Sequence, residues 1–374
     1  MNILIDCSSI QVGGGMQVAQ SFFYDLLFHN TRENIYNILL SPQIEESIDK
    51  TLFNENFHFH TLEKRFYSNP IRRALKLKSF EVEVKPEIVF CLFGPSFYKS
   101  KVPKIVGYAI PHYIYTESPY FSTLTILERI KAHLYRFTRT YLFNKNSDIL
   151  VFETEDAREK YCTKYNFPCQ KTEVVSNTIN QVFLSESKWE NVSLKGIREH
   201  TILCLSANYP HKNLQIIPLV IDHLIQKHEL DNFKFVVTST KEELRFGNKY
   251  DDYIEYIGKI KVEMIPSLYQ SASLLFLPTL LEVFSTTYLE AMFMKVPIVT
   301  TNLSFSQDIC QNGAYYFDPL SVEDASEAII NVITDPILRE TVISNASINL
   351  MRFGSSLERT KRYMQIIKDL RAAD

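Results

Sequence analysis

Two carboxylates, Glu282 and Glu290, are separated by seven residues in the stretch Ser273–Asn302, SLLFLPTLLEVFSTTYLEAMFMKVPIVTTN. Between them Ser285, Thr286 and Thr287 crowd a predicted helix start, where unsatisfied N–H groups and the helix dipole favour an anion. The surrounding pattern reads strand, loop, helix, strand. Leu274–Leu277 is a short apolar run that Pro278 ends, Tyr288–Lys295 carries helix formers, and Pro297 opens the β-rich Ile298–Thr301. Such a unit puts its first loop at the carboxyl edge of a parallel sheet, where open α/β sheets bind ligands. Glu290 admits a second reading, because Thr287-x-x-Glu290 has capping-box spacing.

Lys212 is the next residue able to do chemistry. It lies in SANYPHKNL, Ser206–Leu214, which follows a predicted strand and opens a predicted helix. A cation there opposes the helix dipole, so an anionic partner makes better physical sense than solvent alone. Gly13, Gly14 and Gly15 stand between a predicted strand, Asn2–Asp6, and a predicted helix, Met16–Phe28. Such a loop permits close approach of backbone to a ligand, or serves only to reverse the chain. It is not a dinucleotide fingerprint, because Val18 stands where the third glycine is needed. His112 follows the apolar run Ile105–Ile110 through Pro111. Tyr108, Tyr113, Tyr115 and Tyr120 nearby offer aromatic faces with hydroxyl tips, which suit sugars. Glu153 and Glu155 read as a solvated helix start. His58 and His60 share one face of a strand with no third ligand at metal spacing, and read as structural.

The stretch around Glu282 resembles the donor-site signature of the retaining glycosyltransferases of family 4, E-x7-E followed by a short helix and P-x-V. Glu282, Phe284, Leu289, Glu290, Ala291, Met292 and Pro297 match it. Val283 and Ser285 stand where the family has Gly, and Thr286–Thr287 where it has Leu-Pro. Lys212 matches the family's diphosphate lysine, whereas Ala207 replaces its arginine, which leaves His211, Asn213 or the helix terminus to take a share. VFETEDAREKY and VVSNTIN, within 149–180, look like the family's last amino-domain segments.

This resemblance implies an α/β chain of GT-B architecture, two facing Rossmann-like domains with a cleft between them. It further implies that Glu290 binds ribose hydroxyls and Glu282 binds hydroxyls of the donor sugar. Lys212 and the N–H groups of Phe284, Ser285, Thr286 and Thr287 would stabilise charge on the leaving diphosphate. His112 would touch the transferred sugar, and Gly14 and Gly15 would lie near donor phosphates and acceptor. No D-x-D pair occurs, so a donor site without metal follows.

At 374 residues the chain suits two domains. The expected division is 1–185, an acceptor-side domain, and 186–352, a nucleotide-sugar domain. A basic helix at 353–374 would be free to pack back on the first. The polar stretch Asn180–His200 reads as the linker. Net charge −3 argues against nucleic acid as a main partner. Six scattered cysteines without a C-x-x-C pair indicate neither disulfides nor zinc. MNILIDCSS reads as a first strand rather than a signal peptide, and no apolar stretch is long enough to span a bilayer.

Two stretches are basic, Arg72–Lys78 and Arg129–Lys145, the second alternating with Leu127, Ile130, Leu134, Phe137 and Tyr141. Such a helix usually forms a domain face with solvated charges; it can also rest on an anionic membrane. The expected function is that of a retaining, metal-independent hexosyltransferase with no cofactor beyond its nucleotide-sugar donor. Its acceptor would be a glycan or lipid-linked glycan in polysaccharide assembly, and the protein would be cytoplasmic, with the inner face of the cytoplasmic membrane open to it. Two other readings stay open, a non-enzymatic nucleotide-sugar or glycan-binding subunit and a GT-B nucleotide-sugar epimerase.

Overall fold

The computed structural model describes every residue except 12, 30–33, 68, 197 and 373–374. The chain forms two compact units. The first comprises Met1–Ile114, Thr125–Thr178 and Ser355–Asp374, and the second Tyr115–Leu124 and Ile179–Gly354.

The first unit is built on seven strands: β1 Asn2–Asp6, β2 Ile35–Leu40, β3 Phe57–Thr61, β4 Ile88–Cys91, β5 Lys104–Tyr108, β6 Ile149–Phe152 and β7 Thr172–Val174. They lie in the order β3-β2-β1-β4-β5-β6-β7 and all pair in parallel, with Ile3 set between Tyr36 and Ile88. A parallel sheet covered on both faces needs near-continuous apolar strands, which is why the interior strands β4 and β6 read IVFC and ILVF. Sequence order reverses between β1 and β4, so the loops leaving those strands part and open a crevice at the carboxyl edge. β3 is an edge strand of alternating Phe and His, with His58 and His60 on one face as their spacing suggests.

The helix Ser356–Ala372 packs into this first unit. Tyr363 meets Phe22 and Phe90 with ring centroids 5.7 and 5.0 Å apart. Arg359, only 5% exposed, donates to Asn177 Oδ1 at 3.3 Å and to Ser21 Oγ. Asn177 in turn donates to Glu153, and Ser356 and Thr360 donate to Asp25 at 3.3 and 3.2 Å. Glu153 is therefore not a solvated helix start: it is 6% exposed and part of this network, while Glu155 is exposed and paired with Arg158.

The second unit repeats the design with β8 His200–Cys204, β9 Phe233–Val237, β10 Ile254–Tyr256, β11 Leu274–Leu277, β12 Ile298–Thr301 and β13 Tyr315–Phe317. The order is β10-β9-β8-β11-β12-β13, again parallel throughout, with the reversal between β8 and β11. The stretch 180–200 does not behave as a linker. Val182 and Phe183 are buried in this unit's core, Trp189 Nε1 donates to Val182 O at 2.8 Å, and Val192 N donates to Ser267 Oγ at 3.1 Å. Its 3-10 turns at Gln181–Leu184 and Glu186–Lys188 carry no helical period, which hid this packing from the sequence. Among the described residues, no helix is long and apolar enough to cross a membrane.

Candidate functional site

The reversal between β8 and β11 brings two loops side by side at the carboxyl edge of the second sheet. The first leaves β8 and is fixed by Ser206, whose N–H donates to Thr238 Oγ1 at 3.0 Å. It closes as a 3-10 turn over Pro210–Lys212, after which Asn213 takes a left-handed conformation with φ 53°. The second leaves β11 after Pro278. Leu280 N donates to His211 O at 2.8 Å and so ties the two loops together. Lys212 Nζ and Glu282 Oε2 form an ion pair across them, each side chain about one-fifth exposed.

Lys212 therefore has an anionic partner, and it is the protein's own glutamate. The long helix of this segment begins only at Ile217, so Lys212 does not stand at its start as the sequence suggests. Ala207 is exposed, and among the described residues no arginine joins the pair.

Glu290 sits differently. The helix is Thr286–Phe293 with Ser285 as its N-cap, and that cap makes no side-chain hydrogen bond. The third helical position is Tyr288, so Glu290 lies two residues too late to close a capping box. The residue is 5% exposed, and its carboxyl group accepts from Tyr269 OH at 3.2 Å, a hydroxyl that also lies 3.1 Å from Thr287 O. Burial, only partly offset by hydrogen bonds from Tyr269 and Thr286, pushes its pKa up to about 7. The helix is held by a relay beneath it. Tyr288 OH meets Thr300 Oγ1 at 2.9 Å, and Thr300 Oγ1 donates to Leu277 O at 2.9 Å.

Ser285, Thr286 and Thr287 are half-buried at the amino end of this helix. Phe284 turns inward, 9% exposed and edge-on to Phe353 at 5.6 Å, so it offers a ligand only its backbone.

A short strap crosses both loops. In Tyr115–Leu124, Ser118 Oγ donates to Leu280 O at 2.5 Å, and Tyr120 lies edge-on to His211 at 6.0 Å. The opposite neighbour of His211 is Tyr209, stacked at 5.6 Å and 4°. Tyr269, Ser118 and Tyr120 had no signal of their own in the sequence as donor-side residues. Their placement depends on contacts over 21, 162 and more than 90 positions, the last from numbering alone. Two of the tyrosines grouped around His112 as sugar-facing are instead core. Tyr108 is fully buried against Phe143 at 4.5 Å, and Tyr115 is 3% exposed against Phe305 at 5.7 Å.

The remaining expected residues belong to the first unit. Gly13 has φ 72°, and the helix begins at Gly14, two residues earlier than its sequence suggests. A Cβ on Gly14 would meet nothing within 4 Å, while one on Gly15 would lie 3.3 Å from Ile10 Cγ2. These glycines leave β1, and His112, in the turn Pro111–Ile114, follows β5, so both stand at the carboxyl edge of the first sheet. His112 is half-buried, and burial lowers its pKa below the ordinary imidazole value. It is a neutral donor or acceptor near pH 7 rather than a cation.

Residues 185–348 match the family described as glycosyl transferases group 1. The uncharacterized glycosyltransferase MJ1607 of Methanocaldococcus jannaschii is 22% identical over 222 residues, which cover 55% of this chain and 56% of that protein. The O-antigen chain mannosyltransferase RfbU of Salmonella typhimurium is 20% identical over 184 residues, 47% of this chain and 48% of its own. The chain thus spans about half the length of the curated relatives it matches. Anabaena Alr3699/HepE, solved in complex with UDP and glucose, superposes with a TM-score of 0.68 at 14% identity, covering 98% of this chain and 99% of that one. With two parallel Rossmann-like sheets and this likeness, the chain has the GT-B fold, and residues 185–348, which carry the E-x7-E pair, are similar to the glycosyl transferases of group 1.

Proposed function

We propose that the protein transfers a hexose from a nucleotide-sugar donor to a glycan or lipid-linked glycan acceptor during polysaccharide assembly, with retention and without metal. The observation that carries this reading is the Lys212–Glu282 pair at the strand-order reversal of the second sheet, one loop away from the buried Glu290. The UDP and glucose held by the Anabaena protein support a uridine donor, and the O-antigen activity named for RfbU supports a surface-glycan acceptor.

On this reading Lys212 exchanges Glu282 for the donor diphosphate. Its ammonium group and the free N–H groups around Phe284–Thr287 then meet the charge that grows on the leaving group, an arrangement already in place before reaction. Glu282, released from the lysine, accepts hydrogen bonds from hydroxyls of the sugar. Glu290 accepts from the ribose hydroxyls, which requires its ionised form. The leaving phosphate helps to deprotonate the acceptor hydroxyl, so no protein nucleophile is needed. Following the family resemblance, His112, Gly14 and Gly15 contribute from the carboxyl edge of the first sheet on the acceptor side.

The test is a screen of UDP- and GDP-hexoses against the intact chain in excess EDTA, read by nucleotide release and by the anomeric form of the product. The expected outcome is nucleotide release coupled to a glycoside of unchanged configuration. Binding without turnover would mark a non-enzymatic subunit, and an epimerised free nucleotide sugar would mark an epimerase.

A further inference from the structure

The helix Ile126–Asn146 of the first unit is turned inside out relative to an ordinary surface helix. Its core-facing residues Thr140, Phe143 and Asn146 all lie in its second half. Meanwhile Leu127, Ile130, Leu134, Phe137 and Tyr141 are 53% to 79% exposed. They recur three or four positions apart, so they form one stripe along the helix. Phe143 follows Leu134 by nine residues, about two and a half turns, which sets the stripe on the side away from the core. The charges reach solvent as expected of a domain face, but the apolar side is left uncovered as well.

The helix also carries Arg129, Lys131, Arg136, Arg139 and Lys145 against the single Glu128, in a chain whose overall charge is −3. Helix Pro70–Val84 joins it through Phe97, over which the guanidinium groups of Arg73 and Arg139 each lie 5.0 Å from the ring centre. That second helix adds exposed Ile71 and Leu75 beside exposed Arg72 and Lys76. Charge decides the occupant. A second copy would bring the same positive helix against itself, whereas an anionic lipid surface complements both the stripe and its flanking cations.

We propose that Ile126–Asn146 is a membrane-docking helix that lies along an anionic bilayer, its apolar stripe among the acyl chains and its lysines and arginines at the headgroups. Acidic phospholipid is the partner, and the inference stands whether or not the chain transfers sugar. A basic amphipathic helix of this kind binds through buried apolar area and attraction to acidic lipid together.

The experiment is sedimentation of the intact chain with vesicles of phosphatidylcholine alone and with phosphatidylglycerol added. The chain should sediment with the acidic vesicles only and be released as salt is raised. Leu134→Glu with Phe137→Glu, and separately Lys131→Glu with Lys145→Glu, should each lower the bound fraction by roughly tenfold or more. Circular dichroism should show both variants as folded as the parent, since these side chains are exposed. Equal sedimentation of parent and variants, or none with either vesicle, would overturn the proposal. So would a parent dimer that Leu134→Glu with Phe137→Glu dissociates, because the stripe would then be an interface between copies.

Discussion

Two places in this molecule set a cation against carboxylates, and they are built in opposite ways. Around Arg359 all but the half-buried Ser21 is buried: the guanidinium holds Asn177 and Ser21, Asn177 holds Glu153, and Asp25 takes hydroxyls from the same helix. At Lys212 the ammonium meets one carboxylate, Glu282, and both remain about one-fifth exposed. Desolvation makes the first arrangement hard to open, because removing one member strands the others without water. Water reaches the second, so exchanging either partner for another ion costs less there than at the first. The difference separates a charge that holds a helix in place from a charge available to a ligand.

The contrast is broken most directly at Arg359. Arg359→Ala should cost about 3–5 kcal/mol of stability, as expected when one partner of a buried ionic network is removed. Urea unfolding of the full chain measures it, and a loss below about 1 kcal/mol would put Arg359 in the same class as a surface ion pair.

Lys212→Ala sharpens the comparison from the other side. Its unfolding midpoint should hardly move, since a partly solvated pair contributes about 0–1 kcal/mol. Its kcat/KM for transfer should fall roughly ten- to a hundredfold, the worth of a charge-assisted hydrogen bond to the leaving group. Glu282→Gln removes the competitor for the lysine instead. Free UDP should then bind several-fold more tightly while transfer drops, the two readouts moving in opposite directions. Unchanged UDP affinity would mean that the ion pair does not have to open for nucleotide to enter.

The smallest effect belongs to Glu290. Its pKa is raised from 4.5 to about 7 on folding, mainly by burial, so the folded state holds its proton more tightly than the unfolded state. The stability this contributes is present below about pH 4.5 and is lost as pH rises through about 7. Ribose hydroxyls need the carboxylate, so donor affinity should rise with pH up to about 7, by at most about tenfold per unit. Calorimetric titration with a UDP-hexose across that range, alongside Glu290→Gln, isolates the effect. Parallel profiles for the two proteins would leave the ionisation of Glu290 unconnected with binding.

Much of the fold was legible because parallel sheets demand apolar strands. Runs such as Ile149–Phe152 and Leu274–Leu277 coincide with the strands of the structure. β13, a strand of only three residues, was not. At the candidate site the spacing of Glu282 and Glu290 was visible, yet it could not say that one carboxylate is ion-paired and the other buried. Those states depend on Lys212 and Tyr269, brought in from other loops and helices. Local pattern also misplaced Glu153, since its partners Asn177 and Arg359 lie 24 and more than 200 positions away. Side-chain periodicity reports which residues share a face, but not whether that face is covered, and for Ile126–Asn146 it is not.

The path of the chain has one more consequence, for synthesis. The first unit is interrupted by Tyr115–Leu124 and is completed only by the segment that begins at Ser355. On the ribosome its sheet is made first, but Arg359 and Tyr363, which close its core, emerge only after the whole second sheet has been translated. Until then Glu153, Asn177 and Phe22 wait without their native cover. The unit that begins the chain is the last that can be finished, and a fragment ending before residue 355 would carry an open wound in its amino-terminal half rather than a separable domain.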